Sequence, residues 1–249
     1  MEPEELRLLD ALAYLLMPTT GCVCFVSPYS RYASQWPPRV PVHVAWALQE
    51  LPALAWPLLE CTCASPQRLY RLPNRVLLAM YLIHYVHRSL IFPFLIRGGK
   101  QMPPVTCVLA FLFCTCNCYL QTRYLSWYAV HAKDWVTQPC FLAGFALWLT
   151  GMLINIQSDH VLRNLGKPEE TGYKIPRGGL FKYITAANYL GEVVKWCGFA
   201  LASCSLQSGA FALFTFTLLL PRAKQHHQWY LEKFEDYPKS QKILIPFFY

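Results

Sequence analysis

Asn155 and Asp159 stand four residues apart, and so do Asn188 and Glu192. On a helix each amide and carboxylate pair shares one face, and between the pairs runs a basic stretch with Tyr173, Lys174 and Arg177. Two polar faces bracketing a cationic loop offer partners to a ligand with hydroxyls, a carboxamide and phosphate. Further on, Arg222 precedes His226, His227 and Tyr230, a second place where cationic and aromatic groups can meet a phosphate-bearing, planar-ringed cofactor. Plain charge at a membrane surface is the alternative reading of the same cations.

Glu50 follows Gln49 in an apolar run, and Pro52 removes a backbone donor two residues later. A carboxyl held in low dielectric resists ionising, so Glu50 can donate a hydrogen bond at neutral pH; otherwise it ties two helices together. Tyr85 lies within His84-Tyr-Val-His-Arg88, where His84 and Arg88 are spaced i,i+4 and Tyr85 and Arg88 i,i+3. A lone helical Tyr is more often core or interfacial belt. Glu50 with Tyr85, however, makes a donor pair suited to polarising a ketone. No His stands at H-x-x-x-H or E-x-x-H spacing near the carboxylates, so no metal is expected. No G-x-G-x-x-G follows a strand, which argues against a Rossmann nucleotide fold.

These groups need apolar elements to position them. A chain of 249 residues that is 55% hydrophobic and only 14% charged is too apolar for a soluble domain of its length, so an all-α polytopic membrane protein is expected. Seven apolar runs, at about 6–26, 42–64, 76–96, 105–125, 141–162, 180–204 and 210–220, predict seven transmembrane helices enclosing a cavity. The acidic opening lacks the basic region of a cleavable signal, so the first run is expected to remain as an anchor. Polar groups on several such helices are site candidates, because they are costly against lipid unless they face a partner or a cavity.

With seven spans, fourteen Lys and Arg fall on the side of the tail and the 163–182 loop and six on the other, which places the tail in the cytosol. The net charge of +8 is dispersed between apolar runs, so nucleic acid is not an expected partner. Eleven cysteines, mostly within those runs, read as small apolar packing residues. C-x-C on a helix points to opposite sides, and a disulfide framework belongs to small secreted domains.

Leu48-Gln-Glu-Leu-Pro52, His84-Tyr-Val-His-Arg88, Phe113-Cys-Thr-Cys-Asn117, Gly151-Met-Leu-Ile-Asn-Ile-Gln-Ser-Asp159, Gly172-Tyr-Lys-Ile-Pro-Arg-Gly-Gly-Leu-Phe181 and Phe234-Glu-Asp-Tyr-Pro238 occur in an order that resembles the steroid 5α-reductases. The resemblance covers nearly the whole chain, to Ile245-Pro-Phe-Phe-Tyr249. It implies an enzyme of the endoplasmic reticulum membrane that uses NADPH to reduce the 4,5 double bond of a lipophilic 3-oxo-Δ4 steroid, with no obligate protein partner. Within a single membrane domain over 1–249, it implies that 1–100 supply the substrate side and 101–249 bind NADPH.

Carried onto matching positions, Glu50 and Tyr85 would hold the C3 carbonyl oxygen. Asn155, Asp159, Tyr173, Asn188, Glu192, Arg222, His226 and Tyr230, with Lys174 and Asn117, would line the cofactor pocket, and Trp46, Gln49 and Trp196 would meet the steroid. The chain departs from the family pattern at Gly166, at Gln157 in place of a His and at Lys195 in place of an acid, which bears on NADPH over NADH preference. The rival readings are a related membrane enoyl or polyprenal reductase, a methyltransferase sharing the distal architecture, and a non-catalytic sterol-binding seven-helix protein.

Overall fold

The computed structural model describes residues 2–26, 39–63, 67–97, 101–165 and 173–248; Gly166 and Gly172 lie outside them. The helices are α1 (Glu2–Val26), α2 (Val42–Glu50), α3 (Pro52–Cys63), α4 (Leu72–Val86), α5 (Phe92–Leu95), α6 (Pro104–Arg123), α7 (Pro139–Arg163), α8 (Ala187–Ser203) and α9 (Leu206–Lys233). Among the described residues there is no strand, only the isolated bridges Val40 to Met102 and Ile184 to Lys242. Pro52, Pro73, Pro104 and Pro139 sit in the first turns of their helices, where a missing N–H costs nothing.

The same chemistry interrupts two rods. Pro52 ends α2 at Glu50, and Leu51 joins it to α3. Pro93 has no N–H to return to Ser89, and the chain widens there into a π-turn over His87–Ile91, with Phe92 N–H donating to the His87 carbonyl. Such turns are frequent at functional sites. With α2–α3 and α4–α5 each counted as one rod, the helices among the described residues form a bundle of seven rods. Asp10 accepts from Gln207 at 2.7 Å and Asn74 donates to the Leu125 and Ala129 carbonyls at one end; Val40 pairs with Met102 at the other. Leu72–Leu95, Pro104–Tyr128 and Pro139–Arg163 are long and apolar enough to cross a membrane, which marks a membrane protein. The other described helices fall short of that measure.

Two boundaries differ from the apolar pattern. The run at 180–204 becomes an α-helix only at Ala187, after a 3-10 turn over Gly179–Lys182. Gly178 and Gly179 take positive φ, and the N–H groups of Thr185 and Ala186 are bonded to the carbonyls of Lys242 and Ile243 at 2.8 and 3.2 Å. The run at 210–220 is only part of α9, which continues through Pro221 to Lys233. Helix formation does not require apolar residues, so hydropathy could not find that end.

The tail folds back beneath the 173–186 loop. Thr185 Oγ1 lies 2.8 Å from the Tyr237 hydroxyl and 2.5 Å from His227 Nδ1, and Gln241 Nε2 donates to the Phe181 carbonyl at 2.7 Å. Burial lowers the His227 imidazole below its usual range and raises the Tyr237 phenol, the latter opposed by its bond to Thr185.

The tightest contact in the bundle is α7 against α8. Gly144 and Gly151 on one helix meet Gly198 and Gly191 on the other. A Cβ at Gly151 would fall 2.3 Å from the Lys195 backbone nitrogen, and one at Gly198 2.3 Å from that of Trp148. Small residues at such a crossing let the two backbones touch. This proximity sets Asn155, one turn beyond Gly151, directly against α8.

Candidate active site

A cavity of about 1070 Å³ runs between α2, α4–α5, α6, α7, α8 and α9. Its inner wall is aromatic. The Trp196 ring lies 4.4 Å from Phe211, 4.7 Å from His84 and 6.1 Å from Tyr85, centroid to centroid. Glu50 enters from the last residue of α2 and Tyr85 from the last turn of α4. Cys114 Sγ, from the middle of α6, approaches Glu50 Oε2 at 3.8 Å. Glu50 and Tyr85 border the same space, together with Arg88 and Glu192. Trp46 and Gln49, on the same helix as Glu50, line the cavity too. The Gln49 Oε1 atom is buried and without a hydrogen bond among the described residues.

The outer wall is polar. Asp159, Arg163, Asn188, Arg222 and His226 line the cavity at the end toward which the tail folds. Arg88, which the π-turn aims inward, donates to Asp159 Oδ2 at 3.3 Å. Its guanidinium also lies 4.5 Å from the Trp46 ring and 4.2 Å from Phe92. A cation stacked on two rings and paired with a carboxylate joins the aromatic half of the cavity to the polar half.

Midway, Asn155 and Glu192 line the cavity but are also bound to the protein. Asn155 Nδ2 donates to the Asn188 carbonyl at 2.6 Å, and its Oδ1 accepts from Lys195 Nζ at 2.6 Å. Glu192 Oε2 accepts from Lys195 at 2.9 Å and from Trp196 Nε1 at 3.0 Å. Gln157 also lines the cavity, with Gly179 against its side chain.

Eleven of the residues singled out by sequence therefore border one space: Trp46, Gln49, Glu50, Tyr85, Asn155, Asp159, Asn188, Glu192, Trp196, Arg222 and His226. Four stand elsewhere. Asn117 is buried on α6, its Oδ1 accepting from Gln121 at 3.4 Å. Tyr230 is buried and stacks on Tyr237 with ring centroids 5.2 Å apart. Tyr173 lies edge-on to Trp229. Lys174 lines a separate cleft of about 380 Å³ with Arg177 and with His160, and His160 is shared with the main cavity. Sequence reasoning did not assign Arg88, His84, Cys114 or Lys195 to the site. A cation inside an apolar run was the available signal for Arg88 and Lys195.

Residues 100–249 match the family described as 3-oxo-5-alpha-steroid 4-dehydrogenase. The 3-oxo-5-alpha-steroid 4-dehydrogenase 1 of Rattus norvegicus is 67% identical, over 99% of this chain and 98% of its own length. The Homo sapiens protein of that name is 61% identical, over 98% and 97%. The 3-oxo-5-alpha-steroid 4-dehydrogenase 2 of Homo sapiens is 43% identical, over 90% and 88%.

Proposed function

Because the chain belongs to the 3-oxo-5-alpha-steroid 4-dehydrogenase family, we propose that it reduces the 4,5 double bond of 3-oxo-Δ4 steroids to the 5α products with NADPH. The observation that carries this reading is one cavity bordered by the Glu50 and Tyr85 donors, by an aromatic wall and by a cationic, amide-bearing mouth. Its volume of about 1070 Å³ stands at the upper end of the range of about 300–1,000 Å³ for ligand sites, in keeping with a large site. Seven membrane crossings, a cytosolic tail and residence in the endoplasmic reticulum are part of the same proposal.

The donor set fits a nicotinamide dinucleotide. Arg222 and Arg163 bring cationic charge suited to phosphates. Asp159 and Asn188 offer acceptor and donor groups for hydroxyls and amides, and Glu192 presents a carboxylate beside Trp196. NADPH held by these residues would supply the hydride for C5. Glu50, kept protonated, and Tyr85 donate hydrogen bonds to the C3 ketone oxygen and stabilise the enolate charge that develops there. Trp196, Phe211 and Phe214 hold the flat apolar substrate, and the bundle excludes bulk water from the reacting carbons. Solvent or a nearby acid then protonates C4.

The test is to incubate the purified protein with testosterone and NADPH, following nicotinamide absorbance and the configuration at C5. Stoichiometric NADPH oxidation with 5α product is expected. Product formed only from an enoyl thioester or a polyprenal would replace this reading with that of a related reductase.

A further inference from the structure

Lys195 takes no part in the chemistry above, yet it is the one fully buried cation among the described residues. Its ammonium has no outlet to solvent and does not border the cavity. Instead it reaches between two groups that do, Glu192 Oε2 at 2.9 Å and Asn155 Oδ1 at 2.6 Å. That reach depends on the α7 and α8 crossing, where Gly151 lies against the Lys195 backbone and Gly191 against the Asn155 side chain.

Resting on the proposed function, we infer that Lys195 is a positioning residue for cofactor binding, which fixes the Glu192 carboxylate and the Asn155 carboxamide in the cavity wall. The hydrogen-bond pattern states how. Lys195 and Trp196 Nε1 both address Oε2 of Glu192; among the described residues Oε1 receives no hydrogen bond. One oxygen is clamped, and the other is left as an acceptor on a residue that lines the cavity. Asn155 is engaged at both ends, its Oδ1 by Lys195 and its Nδ2 by the Asn188 carbonyl, which ties it to the start of α8. Burying a charge is costly unless it is paired and hydrogen-bonded, and removing one partner strands the other. Loss of Lys195 thus removes one anchor from each group at once, leaving Glu192 held by Trp196 and Asn155 by Asn188 alone.

The experiment is a double-mutant cycle read by NADPH binding in detergent micelles, using equilibrium dialysis without steroid. Lys195→Met is expected to weaken NADPH binding about tenfold or more. In a Glu192→Gln background the same substitution is expected to change it less than about threefold, because the carboxylate that the ammonium clamps is gone and only the Asn155 contact is left to lose. Equal losses in both backgrounds, or binding by Lys195→Met within about twofold of wild type, would overturn the inference. Should Lys195→Met fail to fold, Lys195→Gln, which keeps an amide donor, enters the same cycle under the same criteria. If the wild-type protein itself does not bind NADPH, it is the proposed function that falls. Wild-type binding with no coupling removes only the role of Lys195.

Discussion

The Arg88 guanidinium donates to the Asp159 carboxylate at 3.3 Å across the cavity, with both side chains 13% exposed. It is a direct side-chain tie between the α4–α5 rod and the outer part of α7. Arg88→Met removes the ion pair and leaves Asp159 without it, and kcat/KM is expected to fall at least about tenfold, as for loss of one partner of a buried pair. Arg88→Lys is expected to recover little, since an ammonium cannot stack on Trp46 and Phe92 as a planar guanidinium does. Steady-state kinetics of the two variants check this. Full activity in Arg88→Lys would reduce the residue to a point charge.

Glu50→Gln and Tyr85→Phe separate binding from turnover. Each removes or weakens one donor aimed at developing negative charge, and one such donor is worth about 10²–10³ in kcat. The expected outcome is a loss of that size in turnover, with steroid affinity changing far less. A KM rise at unchanged kcat in either variant would place that residue in ground-state binding alone.

Glycine substitutions test the α7 and α8 contact. At Gly151 an added methyl meets the Lys195 backbone nitrogen at 2.3 Å and the Gly191 carbonyl oxygen at 2.6 Å, and helix backbones cannot yield as a side chain can. Gly151→Ala is expected to cost about 1–3 kcal/mol by overpacking. Gly209, near the start of α9, has nothing within 4 Å of such a methyl, and Gly209→Ala is expected to gain about 0.5–1 kcal/mol from helix propensity. Thermal unfolding in micelles should move the two midpoints in opposite directions.

The bundle was legible in the sequence because membrane-length apolar runs and first-turn prolines are local signals. The α8 start was not, because hydrogen bonds from the Thr185 and Ala186 N–H groups to the carbonyls of the tail residues Lys242 and Ile243 decide it, and the α9 end was not, because it is polar. The i,i+4 spacing correctly put Asn155 and Asp159 on one face, and both reach the cavity. Spacing could not reveal that Asn155 would be spent on Lys195 and Asn188. That depends on how closely α7 approaches α8, which is set by glycines on both helices. Glu50 and Tyr85 come together only through packing of α2 against α4–α5 and α6. That they border one cavity was not written in any local pattern of the sequence.

Glu5 gives the stability of the opposite end a pH dependence. It lies ahead of the apolar run of α1, and its carboxylate takes a two-pronged hydrogen bond from Arg123, at 2.7 and 3.1 Å, and further bonds from the Tyr128 and Tyr119 hydroxyls. Chiefly through the Arg123 bond, and against partial burial, its pKa falls from 4.5 to about 2. A carboxyl whose folded-state value is depressed adds stability that is fully present above its unfolded value. That stability is lost as pH falls toward the folded value. The difference in unfolding midpoint between wild type and Glu5→Gln is therefore expected to be constant at neutral pH, to shrink below about 4.5 and to vanish near 2. Thermal scans of both proteins across that range measure it. An equal difference at pH 7 and pH 3 would mean that Glu5 acts through shape rather than charge.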